Sequence, residues 1–319
     1  MPAISNGTDP QFRADVLRGL ASTPKAIPAR WLYDSRGSEL FDAITRLPSY
    51  YPTLTETRLL ERIMPDVAAR AGPGRSVIEF GAGSLTKTPI LLKAIQPALY
   101  VPVDISGDYL RASAAQLSAQ LPGLPIHPVE ADFAGPMPLP TRRGDGAVLG
   151  FFPGSTIGNF VPESATDLLR HFRASLGTGA LLLIGMDRVK PVERLIAAYD
   201  EPEGVTAAFN LNLLHRINRE LDGTIPVDAF RHEARWNDIM SRVEMHLVAG
   251  QDVSFTVAGE AFRLGKGDSI HSENSHKYGP RGGRMLLLAG GWTPIAEWTD
   301  DARDFAIVLA EAQPPRFDP

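Results

Sequence analysis

The chain has 319 residues, 44% of them hydrophobic and 22% charged, and a formal net charge of −5. That is the composition of a globular protein with room for one large domain or two ordinary ones. The acidic balance, with no Lys/Arg run, argues against a duplex nucleic-acid partner, and the absence of cysteine excludes disulfides, thiolate metal sites and a cysteine nucleophile.

The stretch from Met1 to Arg13 is polar and has no apolar signal core, so export is not expected. No window of about 18 uninterrupted apolar residues offers a membrane span. A cytoplasmic protein is the expectation. From Glu56 to Ala71, Leu59, Leu60, Ile63, Met64 and Val67 follow a helical period. Strand-like runs then recur at Val77–Phe80, Leu99–Val103, Ile126–Glu130, Gly146–Phe152 and Ala180–Met186. Helical stretches over Pro89–Ala94, Gly107–Leu121 and Ala165–Leu176 separate them. Such alternation predicts a doubly wound parallel sheet. After Asp187 the pattern changes: Pro191–Tyr199 and Val205–Leu221 read as helices. Ser241–Val248 and Val253–Val257 alternate polar and apolar residues like antiparallel strands of a second, smaller domain. Met285–Ala289 reads as a buried helix or strand end, and Ile295–Trp298 and Phe305–Ala310 as a strand pair closing the sheet.

The most informative motif is Val77-Ile78-Glu79-Phe80-Gly81-Ala82-Gly83-Ser84, with Asp104 ending the next apolar run. A buried strand turning through Gly-x-Gly lets the backbone lie close against a ligand. A carboxylate at the end of the following strand can accept both hydroxyls of a ribose. An adenosine-containing cofactor is therefore expected. The loop Gly81-Ala82-Gly83-Ser84-Leu85-Thr86 lacks the third glycine of a dinucleotide fingerprint. Its Glu79-x-Gly81-x-Gly83 pattern resembles motif I of class I S-adenosylmethionine-dependent methyltransferases, a resemblance that implies S-adenosylmethionine, while a nicotinamide stays open on this loop alone.

Four further segments are rich in polar and aromatic residues between apolar runs: Tyr33–Phe41 with Leu47–Thr53, Phe151–Phe160, Met186–Asn210 and Ile270–Tyr278. Loops at strand carboxyl ends are where open α/β sheets bind ligands. Taken together, Tyr33-Asp34-x-x-Gly37-Ser38, Gly81-x-Gly83-Ser-Leu-Thr-Lys87, Gly154-Ser-Thr-Ile-Gly-Asn159 and Glu273-Asn274-Ser275 resemble the histidine Nα-methyltransferases of ergothioneine biosynthesis, from about Trp31 to Ala310. The resemblance implies a class I methyltransferase fold, a Rossmann-like doubly wound α/β sheet with an inserted smaller α+β substrate domain. Residues 56–195 and 276–319 would bind S-adenosylmethionine; residues 1–55 and 196–275 would bind substrate. It also implies that Tyr33, Gly81, Lys87, Asp104, Asp132 and Phe133 contact the cofactor. Tyr50, Gly154, Asn159, Tyr199, Met245, Glu273 and Ser275 would surround L-histidine, with Asn159 and Tyr199 holding the amino-acid head and Glu273 and Ser275 reading the imidazole. The implied reaction adds three methyl groups to the α-amine, giving hercynine.

The residue types suit that chemistry. An amide both accepts and donates, so Asn159 can serve the amine and the carboxylate together. Tyr50 and Tyr199 offer hydroxyls and π faces that tolerate a growing cationic ammonium. Plainer readings exist for each: Asp104 as a helix cap, Lys87 as solvated surface, Asn159 as a turn residue, Tyr50 and Met245 as packing. The spacing His271-x-Glu273…His276 fits no standard metal motif, and no metal is expected. A monomer acting on a free amino acid is expected, with no nucleic-acid or membrane partner. The rivals are an N-methyltransferase for another amino acid such as tryptophan, and a non-catalytic cofactor-binding scaffold.

Overall fold

The computed structural model describes residues 9–83, 86–140 and 147–314. Helix α1 (Pro10–Ala21) opens with proline in its first turn, and the Asp9 carboxylate caps the amides of Gln11 and Phe12. Strand β1 (Lys25–Ala26), α2 (Ser35–Thr45) and α3 (Tyr51–Ala71) follow. Next come β2 (Ser76–Phe80), α4 (Thr88–Ile95), β3 (Leu99–Asp104), α5 (Gly107–Gln120) and β4 (Val129–Glu130). The series continues with β5 (Val148–Phe152), α6 (Pro162–Leu176) and β6 (Leu181–Asp187). Helices α7 (Val192–Tyr199) and α8 (Val205–Glu220) lead into β7 (Phe230–Asn237), β8 (Arg242–Ala249), β9 (Val253–Val257), β10 (Glu260–Leu264) and β11 (Ser269–His276). Helix α9 (Pro280–Ala289) and strands β12 (Trp292–Thr299) and β13 (Phe305–Ala312) complete the order.

The chain packs as two compact units. The larger comprises Thr45–Pro191, Ile239–Arg242 and Ser275–Pro319; the smaller comprises Met1–Ile44, Val192–Asp238 and Val243–Asn274. These bounds differ from the expected ones at 45–55, 192–195, 239–242 and 275, because packing partners rather than composition set them.

In the larger unit a seven-stranded sheet runs β12-β13-β6-β5-β2-β3-β4. Strands β5, β6, β2, β3 and β4 are parallel, while β13 is antiparallel to both β6 and β12. This is the class I methyltransferase arrangement. The chain leaves β2 toward β3 and later returns to β5 on its other side, so the order switches at β2. The carboxyl ends of β2, β3 and β5 therefore border the crevice where such sheets take ligands. Every residue of β2, β5 and β6 is buried, as expected for strands covered by helices on both faces. Alternation divides their side chains: Ile78, Phe80 and Phe152 join α6, while Val77 and Phe151 join α3 and α4. Helix α6 meets the sheet through Ala165, Leu168, Leu169, Phe172 and Leu176, an apolar stripe at helical spacing.

In the smaller unit, β11 lies between β1 and β8 in a four-stranded sheet ending at β7, and β9 and β10 form a separate antiparallel pair. Strands β1, β7, β10 and β11 were not foreseen. Ser269–His276 carries mostly polar residues, and neighbouring strands rather than its own pattern make it a strand. The expected strand over 126–130 shrinks to Val129–Glu130, with an isolated bridge from Ile126 to Tyr100. Residues 285–289 are the end of α9, and Met285 is 57% exposed rather than buried; Leu286 and Leu287 supply the apolar face instead. Gly146, Ser84 and Leu85 lie outside the described residues. Among the described residues no helix is long and apolar enough to cross a membrane.

The ring of Phe172 stacks on Phe80 at 3.8 Å between centroids and meets Phe152 edge-on at 5.2 Å. Phe172→Ala is expected to destabilise the larger unit by about 3–5 kcal/mol, read as a lowered urea midpoint.

Candidate active site

Strand β2 ends at Phe80, and Gly81 takes a positive φ of 73° that only glycine adopts without strain. The amides of Gly81 and Ala82 both donate to the Val103 carbonyl, at 2.9 and 3.1 Å, pinning the turn to the end of β3. A Cβ at Gly83 would lie 3.6 Å from Asp104 Oδ2, so the loop backbone passes beside that carboxylate. Asp104 Oδ1 accepts from the Ser106 amide at 2.9 Å. Burial pushes the Asp104 carboxyl above its ordinary range, against backbone hydrogen bonds that pull it down. Asp132 caps its own turn through the Ala134 amide at 2.9 Å. Phe133 packs edge-on against Phe152, and its ring edge lies 3.5 Å from where a Gly81 Cβ would be. The structure thus gathers Gly81, Asp104 and Phe133 at the carboxyl end of the sheet.

Beneath this loop, Glu79 is fully enclosed and accepts from Tyr100 Oη at 2.7 Å and Thr88 Oγ1 at 2.8 Å. Burial pushes its carboxyl up to about 7, although both hydroxyls oppose the shift.

After β5 the chain turns through two consecutive left-handed residues, Gly154 at φ 78° and Ser155 at φ 55°. A buried carboxylate holds this turn: the Gly154 amide donates to Glu56 Oε1 and Oε2 at 3.0 and 2.8 Å. Lys87 forms an ion pair with the same carboxylate. So Lys87, expected to contact the cofactor, and Gly154, expected near substrate, share Glu56. The sequence carried a sign of Glu56: it falls on the apolar stripe of α3 with Leu59, Leu60 and Ile63, where a charge needs partners. Asn159 ends the 3-10 turn Thr156–Asn159 that follows. Tyr50 is buried at the start of α3.

A second buried charge cluster stands at the end of β6. Asp187 is fully buried, pairs with Lys190, and lies 2.7 Å from Lys277 Nζ. Tyr51 Oη donates to Asp187 Oδ2 at 2.7 Å and accepts from Lys190 at 2.8 Å. Lys277 also donates to Ser275 Oγ at 2.7 Å. Burial alone would raise the Asp187 carboxyl, but the two lysines outweigh it and hold it below the ordinary range. Burial lowers Lys190 to about 8 despite Asp187. Neither lysine stood out in the sequence.

In the smaller unit, Tyr33 Oη donates to Glu273 Oε1 at 3.0 Å, and its ring meets Phe41 and Phe209 edge-on. Tyr33, expected on the cofactor side, is thereby joined to the expected imidazole reader. Tyr199 is buried at the end of α7, and its carbonyl faces His232 Nε2 at 2.7 Å. Met245 is buried on β8, and its carbonyl accepts from Ser272 Oγ at 3.0 Å. Among the described residues, Glu244, His246 and His271 bring potential ligand atoms within 4.8 Å of one another. The grouping spans β8 and β11, so sequence spacing could not reveal it. It is internally bonded, with His246 facing Glu244 Oε2 at 3.1 Å and Ser269 Oγ at 3.2 Å. Burial lowers the His246 imidazole, and His271 and Arg235 add to the shift.

A family model described as histidine-specific methyltransferase, SAM-dependent, matches residues 12–312. The chain belongs to this family. It is accordingly an S-adenosylmethionine-dependent methyltransferase. Family resemblance extends to histidine N-alpha-methyltransferases of Mycolicibacterium smegmatis, 39% identical, and Mycobacterium tuberculosis, 40% identical; each match covers 94% of both chains. A 4-dimethylallyltryptophan N-methyltransferase of Claviceps purpurea is 25% identical over 96% of this chain and 98% of its own. Among solved structures, the PH0226 protein of Pyrococcus horikoshii shares the fold with a TM-score of 0.50 and 12% identity, over 86% of this chain and 98% of that one.

Two buried carboxylates of this family member yield tests. In the folded chain Glu79 keeps its proton up to about pH 7, whereas unfolded it loses it near 4.3. Between those values only the folded state is protonated, so the Glu79 contribution to stability falls as pH rises and levels off above about 7. The stability of wild type relative to Glu79→Gln is expected to decline by about 2–3 kcal/mol from pH 5 to pH 8, measured by paired denaturant titrations. Glu56→Ala strips partners from Lys87 and the Gly154 amide and is expected to cost about 3–5 kcal/mol, read in the same assay.

Proposed function

We propose that the chain transfers methyl groups from S-adenosylmethionine to the α-amine of L-histidine, three in succession, forming the betaine hercynine, and that it acts as a monomer on the free amino acid. The observation that carries this reading is Glu273, a carboxylate only 9% exposed and braced by the Tyr33 hydroxyl, a group suited to an imidazole N–H. The two relatives at 39% and 40% identity bear the name histidine N-alpha-methyltransferase, which supports the same substrate.

The loop residues fit an adenosine-bearing cofactor. Asp104 Oδ2 faces the Gly83 backbone and offers lone pairs for ribose hydroxyls, while Phe133 offers an apolar ring face and Asp132 a further acceptor. Lys87 and Tyr33 complete the proposed cofactor set. Bound there, S-adenosylmethionine supplies a methyl group activated by a sulfonium.

The protein's own task is positioning, since the displacement requires nucleophile, methyl and leaving sulfur in line. In the larger unit, Asn159 accepts from the α-amine and donates to the α-carboxylate through the two ends of one amide, with Gly154 and Tyr50 beside it. Tyr199 is proposed to orient the amino-acid head, Glu273 to accept the imidazole N–H, and Met245 to supply apolar wall. Ser275 serves the other imidazole nitrogen. The attacking amine must be neutral, and its proton can pass to water before methylation. Tyrosine π faces tolerate the permanent charge of the trimethylated nitrogen.

An indole lacks the second ring nitrogen, so a tryptophan-like substrate would leave a buried polar group unpaired. Mass spectrometry of the protein with S-adenosylmethionine and all twenty amino acids in competition is expected to show up to three methyl masses on histidine alone. Methylation of another amino acid would remove the histidine reading. Glu273→Ala is expected to weaken histidine binding by about 1–3 kcal/mol, the cost of an unmade buried hydrogen bond, with S-adenosylhomocysteine affinity kept.

A further inference from the structure

Asn210, on α8, has no exposure, and its side-chain amide is engaged at both ends. Nδ2 donates to the His246 carbonyl at 3.2 Å; a carbonyl can only accept, which fixes the side on which the amide nitrogen lies. The same Nδ2 is 2.9 Å from His232 Nδ1. A donor faces that ring nitrogen, so Nδ1 offers its lone pair and the ring proton sits on Nε2. Oδ1 turns the other way and accepts from Ser272 Oγ at 2.6 Å, a hydroxyl whose proton is shared with the Met245 carbonyl at 3.0 Å.

His232 Nε2 therefore donates to the Tyr199 carbonyl at 2.7 Å. Tyr199 is the last residue of α7, where carbonyls lack an amide of their own helix. Asp200 favours a proton on the same nitrogen: its Oδ1 lies 4.0 Å from Nε2, and its Oδ2 accepts from the Ala234 amide at 3.1 Å. The His232 side chain is only 1% exposed. Apolar side chains would pack α7 against β7 without the cost of burying Asn210, His232 and Ser272. They would not fix the height and turn of its last residue, which a directed hydrogen bond does.

We propose that His232 is a positioning residue for the substrate: locked by Asn210 as the Nε2–H tautomer, it fixes the end of α7 that carries Tyr199. The inference rests on the histidine reading above and deepens it, and every residue it uses belongs to the smaller unit. Tyr199 is the proposed holder of the amino-acid head, whereas Met245 and Glu273 are proposed to meet the imidazole. The network reaches all three, since Ser272 bonds the Met245 carbonyl and directly precedes Glu273 on β11. Residues for the head and for the ring thus hang on one frame, with Asn210 at its centre. Displacement at a sulfonium carbon needs the α-amine in line, so a loosened Tyr199 costs rate more than binding.

Two substitutions separate the two ring nitrogens. In His232→Gln the side-chain amide reaches the Nε2 position and still donates to the Tyr199 carbonyl. In His232→Asn it reaches only the Nδ1 position, so the Asn210 contact persists while Tyr199 loses its donor. The readout is the single-turnover rate of the first methyl transfer with S-adenosylmethionine and L-histidine both saturating, which registers chemistry rather than affinity. His232→Asn is expected to slow it on the order of tenfold to a hundredfold. His232→Gln is expected to restore it to within about threefold of wild type, and S-adenosylhomocysteine affinity is kept in both. A folded His232→Asn that works at the wild-type rate overturns the inference, as does an equal loss in the two variants. Nitrogen NMR of histidine-labelled protein at neutral pH, with the His232 ring assigned by its absence from His232→Gln, is expected to show the proton on Nε2 alone. A ring protonated at Nδ1 overturns the inference even if His232→Asn does not fold. Wild-type protein that binds S-adenosylmethionine and methylates no histidine overturns the histidine reading and this inference with it.

Discussion

Asp187 is the constraint around which the ligand end of the larger unit is organised. A carboxylate with no exposure costs several kcal/mol to desolvate and survives only with well-placed partners. Its partners come from several parts of the chain: Tyr51 at the start of α3, Lys190 just after β6, and Lys277 just after β11. Its backbone is engaged as well, since the amide donates to Ser155 and the carbonyl accepts from Tyr278 at 2.8 Å. Each contact places a residue near one proposed to handle substrate: Tyr51 adjoins Tyr50, Ser155 adjoins Gly154, and Lys277 bonds Ser275. A buried ion cluster of this kind is weak evidence for net stability, but removing any one partner leaves an uncompensated buried charge, so its members are held together.

Glu56 plays the matching part nearer the sheet centre. It holds the strained turn at Gly154 and Ser155 through a backbone amide, and Lys87 neutralises it. Left-handed backbone at a non-glycine residue persists only where the surroundings impose it. Here they do so on the turn that leads into Asn159. Methyl transfer leaves little bond-making chemistry for a protein to perform, so rigid placement of both reactants is the main resource available. Two buried carboxylates, each tying a loop to a distant helix, are a physical means to that end.

Much of this was legible from residue order. The run from Val77 to Gly83 with Asp104 announced a strand, a glycine turn and a carboxylate at the end of the next strand, because period, glycine and spacing are local properties. The alternation of strands and helices announced the parallel sheet, and the runs Ile295–Trp298 and Phe305–Ala310 the strand pair that closes it. Segments without an apolar pattern were opaque. Strand β11 has the sequence Ser-Ile-His-Ser-Glu-Asn-Ser-His, and only pairing with β1 and β8 makes it a strand. The same holds for β1, two residues long and defined by its parallel register with Ile270 and His271.

The sequence by itself determined the class of chemistry, since the residue types that turn a backbone, accept ribose hydroxyls and bond an amino acid stand in short recognisable runs. Tertiary structure alone decided which charges share a carboxylate. Glu56 and Lys87 are 31 positions apart, and Asp187 and Lys277 about three times as far. No local pattern pairs them. Their union is enforced by the cost of burying a charge unpaired, and that cost exists only once the chain has folded around it.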